Sequence, residues 1–240
     1  MKSIINYLGR IDKLHIKEYM SPEIDTYIEP FAGSFNCGFN LIVDGYTGRA
    51  VLNDLDRELI IFWECVKDDA DKLFNLIQTS YEKWIDNPDI LISLKNGSKY
   101  EIATYEYLYC VSHGMKGRKQ IVNNKSDALY FVASQALLEN VEITNLDCID
   151  VIHRYDSERT FFMIDPPYNI PNIDNYYKIK CSEFNHTGLR DKLLNTKGKW
   201  IVRYKEDDHI ERLYKGFNKI LVTEKNVCGN NFKEIYYSNF

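Results

Sequence analysis

Short apolar runs of strand length recur along the chain and are separated by stretches with helical spacing. The runs lie at 27–29, 50–52, 161–164, 200–202 and 220–222. Apolar residues follow at three- and four-residue spacing in 56–68, 127–139, 186–196 and 207–215. This alternation favours an α/β sheet flanked by helices, and the β-rich segment 234–237 is predicted to pair with 220–224 as an antiparallel hairpin.

The stretch 69–126 interrupts the alternation and is rich in Tyr, Trp, Asn and Lys. We interpret it as a small, mostly helical insertion, with 1–68 and 127–240 forming one main domain. A length of 240 residues is close to what a single hydrophobic core usually organises. Tyr105, Tyr107 and Tyr109 are expected to pack inside the insertion.

The composition is that of a globular protein, with 45% hydrophobic residues and a mean hydropathy of −0.39. No apolar run approaches the roughly 18 residues that span a bilayer, and the N-terminus lacks a signal-peptide pattern. We therefore expect a cytoplasmic protein without membrane contact. The dispersed cysteines form no C-x-x-C pair, so no metal site is predicted. A net charge of −5 argues against indiscriminate coating of nucleic acid, although a local positive face suffices for docking.

The strongest chemical signal is Asp165-Pro166-Pro167-Tyr168, which directly follows the run 161–164. Ligands of open α/β sheets bind at the carboxyl ends of strands, and two prolines make this loop rigid. An exocyclic purine amine is a poor nucleophile, and hydrogen bonds to the Asp165 carboxylate and the Pro166 carbonyl would activate it. Tyr168 would stack on the base, which must be flipped out of a duplex. The alternative is a simple proline turn capped by Asp165.

This tetrapeptide resembles the D-P-P-Y motif of amino methyltransferases that act on adenine in DNA. The resemblance implies a Rossmann-like, three-layer α/β fold that uses S-adenosylmethionine. A second segment resembles the cofactor loop of that family, in which glycine lets the backbone approach the cofactor: Glu29, Pro30, Phe31, Ala32, Gly33 and Ser34. A single glycine in an ordinary turn is the alternative.

Two further segments are expected to contact the cofactor. Asp54, followed by Leu55, lies 21 residues beyond Gly33, near the spacing by which an acid reaches a ribose. Asp54 could equally cap a helix, a role that Asp56 could also fill. The pair Asp147-Cys148 resembles the segment that contacts the cofactor adenine, and capping is again the alternative. A missing G-x-G-x-x-G counts against a nicotinamide enzyme.

The N-terminal residues Tyr7, Leu8 and Gly9 resemble the first cofactor motif of the family. The chain departs from the family pattern at Ile11, where relatives carry lysine, and at Phe35, where they carry a second glycine. These departures leave open a nucleic-acid-binding module of the same fold that has lost catalysis.

Contacts to DNA are expected from a basic, glycine-containing stretch and from the segment after D-P-P-Y. The basic stretch has a histidine and four cations without an acid between them: His113, Lys116, Arg118, Lys119 and Lys125. Tyr177 lies in the polar, aromatic segment after D-P-P-Y, which should close over DNA. An ordinary solvated loop is the alternative for the basic stretch. His186 is interpreted as a capping or packing residue.

The resulting hypothesis is a methyltransferase acting on the N6 amine of adenine in double-stranded DNA, by base flipping and direct attack without a covalent enzyme intermediate. The same chemistry on cytosine, RNA or a protein amide is the nearest alternative. The resemblance suggests a bacterial or phage protein, a restriction endonuclease as a companion, and a monomer.

Overall fold

The computed structural model describes residues 4–5, 7, 14–113, 125–168, 174, 180–227 and 230–240. Within this part of the chain, seven strands form one sheet in the order β3-β2-β1-β4-β5-β7-β6. The strands are β1 (Thr26–Glu29), β2 (Arg49–Asn53), β3 (Val141–Thr144), β4 (Thr160–Ile164), β5 (Lys199–Lys205), β6 (Asn218–Val227) and β7 (Asn230–Ser238).

The first five strands are parallel, and β7 lies antiparallel between β5 and β6. All five predicted strands and the C-terminal hairpin are confirmed, with Val222 opposite Ile235 in the β6–β7 pair. The sequence pattern did not indicate β3, which has only four residues and is half-buried over most of its length. A strand this short offers too few positions for its period to be recognised.

Eight α-helices and a 3₁₀ turn (Ile16–Tyr19) connect these strands in the described residues. The helices are α1 (Asn36–Val43), α2 (Arg57–Asp86), α3 (Ile90–Lys95), α4 (Lys99–His113), α5 (Lys125–Leu138), α6 (Cys148–Tyr155), α7 (His186–Leu194) and α8 (Asp208–Leu213). The four predicted helical stretches are present; the first, predicted to end at 68, reaches a break at Asp69, beyond which α2 continues to Asp86. Among the helices described, none is long and apolar enough to cross a membrane.

Two apolar cores cover the two faces of the sheet. Neighbouring residues of a strand point to opposite faces, so Tyr27 belongs to the core that includes α2, α4 and α5, whereas Ile28 belongs to the core that includes α6 and α7. The strand β4 is buried along its whole length because helices lie on both sides. The three-layer Rossmann-like α/β arrangement predicted from the sequence is therefore confirmed.

The long helix α2 breaks at Asp69, where φ is −159° and ψ is 88°. Gln135 of α5 hydrogen-bonds the backbone groups at this break. Its side chain accepts from the amide of Ala70 at 3.3 Å and donates to the carbonyls of Lys67 and Asp68. Beyond the break, α2, α3 and α4 share the apolar core that covers the sheet. The division of the chain at 69–126 stays a prediction. Tyr105 and Tyr107 are buried, and Tyr109 is partly buried, but in this shared core rather than in a core of the insertion alone.

Candidate active site

The strand order reverses between β1 and β4, and the loops that follow these two strands meet at one cleft. In doubly wound sheets such a reversal point is where ligands bind. The cleft encloses about 1060 Å³ including its open mouth. It is lined by residues of six segments: Tyr7, Glu29, Pro30, Phe31, Ala32, Gly33, Ser34, Asn36, Cys37, Asp54, Leu55, Leu146, Asp147, Cys148, Asp165, Pro166, Pro167, Tyr168, Lys180, Cys181 and Phe184.

Gly33 is held from three sides in a backbone conformation that favours glycine, with φ of +48°. Its amide donates to Asp54 Oδ2 at 3.0 Å, and its carbonyl accepts from Trp63 Nε1 at 3.0 Å. A β-carbon at this position would lie 3.0 Å from Cδ1 of Tyr7. The loop after β1 is therefore fixed before any ligand arrives.

The two acids after β2 have different roles. Asp56 caps α2, since its Oδ1 accepts from the amides of Glu58 and Leu59 at 3.1 and 3.3 Å. Asp54 lines the cleft and accepts from the amides of Gly33 and Asp56. Burial raises the pKa of Asp54 to about 6, although both amide bonds oppose the rise. Asp56 is therefore the residue that caps the helix, and Asp54 faces the cleft.

Glu29, the last residue of β1, is a buried acid beneath the same loop. Its Oε1 accepts from the amide of Gly38 at 2.6 Å and from the hydroxyl of Tyr27 at 2.9 Å. Burial raises the pKa of Glu29 to about 8, partly countered by these two hydrogen bonds. The carboxyl group ties β1 to the first turn of α1.

Phe35, the departure from the glycine of the family pattern, directs its ring away from the cleft. Its φ is +50°, it is fully buried, and it packs edge-on against Phe39 at 5.3 Å between ring centroids. It precedes α1 and does not line the cleft. The side chain at position 35 therefore leaves the ligand space open.

Asn53 joins the loops after β1, β2 and β3, and the sequence pattern did not indicate it. Its side-chain amide donates to the carbonyls of Pro30 and Leu146 at 2.9 and 3.0 Å, and its Oδ1 accepts from the amide of Leu146 at 2.9 Å. The residue is fully buried. Asp147 caps α6 by accepting from the amide of Ile149 at 2.8 Å, and it also lines the cleft with Cys148.

Asp165 directly follows β4 at the edge of the cleft, and its carboxylate is paired with a buried arginine. Oδ2 lies 3.1 Å from Nη1 of Arg203, whose Nη2 lies 2.8 Å from Oε1 of Glu234. Tyr168 donates to the same Glu234 oxygen at 3.3 Å. Burial raises the pKa of Tyr168 well above its ordinary value, so its hydroxyl remains protonated.

Arg203 and Glu234 were missed by the sequence interpretation, although each left a signal. Arg203 lies inside the apolar run 200–204, and Glu234 begins the β-rich run 234–237. Charged residues are almost never fully buried unless they are paired. A charge in the middle of a buried strand therefore points to a partner elsewhere in the fold.

The segment 180–186 closes one side of the cleft. Phe184 packs edge-on against Phe31, with 5.6 Å between ring centroids. His186 packs against Phe184 and lies 3.0 Å from the Tyr204 hydroxyl through Nδ1. Burial lowers the pKa of His186 to about 4, so the neutral ring packs as predicted rather than carrying charge.

Several predicted site residues cannot be placed in this cleft. Leu8, Gly9, Lys116, Arg118, Lys119 and Tyr177 lie outside the described residues, as does Ile11. His113 ends α4 and Lys125 begins α5, but their side chains lie outside the described part. Contacts of these residues to cofactor or DNA stay predictions.

A mainly parallel α/β sheet with a fixed glycine loop, a buried acid after β2 and a rigid acidic loop after β4 defines a nucleotide-cofactor enzyme of the Rossmann-like class. Residues 13–92 and 106–227 match the model of the D12 class N6 adenine-specific DNA methyltransferase family. The match covers most of the chain, and the protein belongs to this family. Comparison with curated proteins gives no significant match.

Solved methyltransferase structures resemble the chain only distantly. The Escherichia coli methyltransferase yhhF is 12% identical, with 92% of this chain and 80% of that chain covered and a TM-score of 0.34. The human methyltransferase 10 domain containing protein is 10% identical, covers 98% and 78%, and has a TM-score of 0.39. The N-terminal domain of human METTL16, solved with SAH, is 9% identical, covers 94% and 66%, and has a TM-score of 0.39.

S-adenosylmethionine is the cofactor of this methyltransferase family. The residues present fit it on two observations in this structure. Gly33 lines the cleft without a side chain of its own, in a turn against which the Tyr7 ring packs, and the buried carboxyl of Asp54 faces the same space. An acid at the end of the second strand is the usual partner of ribose hydroxyls in such folds.

Proposed function

We propose that this methyltransferase transfers a methyl group to the N6 amine of adenine in DNA. One observation carries the proposal: the loop Asp165-Pro166-Pro167-Tyr168 and the glycine loop at Gly33 line the same cleft. Membership in the D12 class N6 adenine-specific DNA methyltransferase family supports the choice of acceptor.

The acceptor amine needs two hydrogen-bond acceptors, because its lone pair is delocalised into the purine ring. The Asp165 carboxylate and the Pro166 carbonyl would accept its two protons, which favours a pyramidal nitrogen with an available lone pair. The two prolines restrict the loop backbone, so the Pro166 carbonyl is held in place before the base arrives. Much of the rate then comes from proximity and orientation.

Tyr168 would stack on the adenine ring, whose target atom is unreachable inside a duplex. We therefore propose that the base is flipped out of the helix into the cleft. The cofactor supplies an electrophilic methyl group on a sulfonium. Gly33, Asp54, Leu55, Asp147 and Cys148, which line the same cleft as Tyr168, would hold it.

Recognition of DNA is assigned to the segment 69–126 and to the segment that follows Tyr168. The basic run that includes Arg118 would contact phosphates and base edges. This part of the proposal rests on the sequence pattern and on the resemblance to the family.

The test is incubation of the purified protein with methyl-labelled S-adenosylmethionine and duplex DNA, RNA or protein in parallel. Nucleoside analysis should recover the label as N6-methyladenine from DNA. Label confined to RNA, protein or cytosine would refute the proposed acceptor. Calorimetry with S-adenosylmethionine addresses the non-catalytic alternative, because a module without cofactor binding should give no heat of binding.

A further inference from the structure

Arg203 lies between two carboxylates: that of Asp165, the first residue of the D-P-P-Y loop, and that of Glu234 on β7. The side chains of Arg203 and Glu234 are each only 1% exposed, whereas Asp165 is 19% exposed at the edge of the cleft. The guanidinium joins strand β5 to the end of β4 through Asp165 and to β7 through Glu234. Burial would lower the pKa of Arg203, but Asp165 and the other surrounding groups raise it above its ordinary value.

The same pair also holds the other end of the tetrapeptide. Tyr168 donates its hydroxyl to Glu234 Oε1 at 3.3 Å, and the Arg203 guanidinium carbon lies 5.6 Å from the Tyr168 ring centroid. Pro166 and Pro167 have no amide hydrogen, so this loop has fewer backbone bonds with which to fix itself. Side-chain contacts at its first and last residues therefore set its position.

We propose that Arg203, anchored by Glu234, is a positioning residue for the methyl transfer that orients the Asp165 carboxylate and the Tyr168 ring together. The inference rests on the proposed role of the D-P-P-Y loop in receiving the acceptor base. Arginine suits this role because its planar fork donates to two carboxylates in fixed directions.

Lysine keeps the charge of Arg203 but presents one compact ammonium, which cannot bridge both carboxylates in the same plane. We therefore expect Arg203→Lys to fold and to bind S-adenosylhomocysteine with unchanged affinity. Its kcat should fall about 100-fold, the size expected from a small misplacement of reacting groups. Glu234→Gln keeps an acceptor oxygen for Tyr168 and should lose less.

Arg49 provides a matched control, because it pairs with Glu142 across β2 and β3, away from the cleft. Arg49→Lys should leave kcat unchanged. Wild-type kcat in Arg203→Lys would overturn the inference. A loss of kcat that is matched by equal losses of cofactor affinity and thermal stability would also overturn it, because that pattern indicates a purely structural role.

Crystal structures of the wild type and of Arg203→Lys give a readout that needs no acceptor. We expect the Asp165 carboxylate and the Tyr168 ring to move in the variant, and unchanged positions would refute the positioning role. If the wild type methylates RNA or protein instead of DNA, the proposed acceptor fails. The kcat comparison then uses the acceptor found, so the two failures are distinguishable.

Discussion

The ring of Phe35 occupies the space that a β-carbon at Gly38 would need. A β-carbon built at position 38 would lie 2.2 Å from Cζ of Phe35, far inside van der Waals contact, so one of the two groups would have to move. Phe35 has a φ of +50° and is fully buried, so its ring has no room to withdraw. The residue that departs from the family pattern is thus accommodated by a glycine one helical turn later.

Gly38→Ala should lower the free energy of unfolding by about 1–3 kcal/mol or more, the usual cost of overpacking a core. The reason is the contact with the Phe35 ring, so the effect should depend on that ring. Urea denaturation of the two single variants and of the double variant Phe35→Ala/Gly38→Ala measures the dependence.

Phe35→Ala alone should cost about 3–5 kcal/mol by leaving a cavity. In that background Gly38→Ala should cost nothing further, since alanine is a better helix former than glycine. Gly188→Ala in α7 is the control: its β-carbon would lie 2.7 Å from Nδ2 of the exposed capping residue Asn185, on the other face of the sheet from Phe35, so its cost should be the same with and without Phe35→Ala. Additive effects of the two core substitutions would contradict the packing relationship.

Gly33→Ala should weaken cofactor binding. A left-handed conformation costs a residue with a β-carbon about 1–2 kcal/mol, and the new methyl group would press on the Tyr7 ring at 3.0 Å. Isothermal titration with S-adenosylhomocysteine measures the change in affinity. Gly45→Ala is the matched control, because Gly45 has φ of +91° and open space around it. It should lose similar stability but keep wild-type affinity, and equal affinity losses in both variants would argue against the loop assignment.

Asp165→Ala should lower kcat by about 100-fold or more while cofactor affinity stays near the wild-type value. The carboxylate is expected to contact the acceptor amine, whereas the cofactor is held mainly by the loops after β1 and β2. Single-turnover methylation and calorimetry measure the two quantities. Asp156→Ala removes an acid that accepts from the amides of Lys197 and Gly198, and it should leave kcat unchanged. Wild-type turnover in Asp165→Ala would refute the proposed role.

Glu29 should make the protein less stable as the pH rises. Its pKa is raised by burial to about 8 in the folded protein, above the ordinary value of 4.5, so the folded state binds more protons between these pH values. The contribution of Glu29 is therefore fully present below about pH 4.5 and is lost as the pH rises through 8. Glu29→Gln cannot titrate and should lack this loss.

Urea denaturation of the wild type and Glu29→Gln at pH 5, 6, 7 and 8 tests this expectation. All other titrating groups are common to both proteins, so the difference between their unfolding free energies isolates Glu29. The wild type should lose stability relative to the variant as the pH increases. Parallel pH profiles would show that Glu29 keeps its ordinary pKa.

Much of the fold was predictable because its signals are local. The apolar runs at β1, β2, β4 and β5 and the β6–β7 hairpin follow from period and turn chemistry along the chain. Two elements in the middle of the chain were less evident. The Tyr-rich helix α4 lies inside a stretch without clear amphipathic spacing, and β3 has only four residues.

The candidate site divides in the same way. Asp165 and Gly33 were recognisable because proline, glycine and acid occur together at strand ends. The sequence left open whether Asp54 or Asp56 caps the helix, since aspartate is a favoured N-cap residue and either position could provide it. The structure assigns the cap to Asp56 because its carboxylate reaches the amides of α2.

The sequence by itself determined the alternating strands and helices and the acidic proline loop, because these are properties of residues that are neighbours in the chain. Only the tertiary structure decided that Arg203 and Glu234 support Asp165, and that Asn53 joins three loops. Arg203 and Glu234 lie 31 positions apart in the chain, and Asn53 and Leu146 lie 93 positions apart. They meet because the sheet order places β5 between β4 and β7, and β2 between β1 and β3.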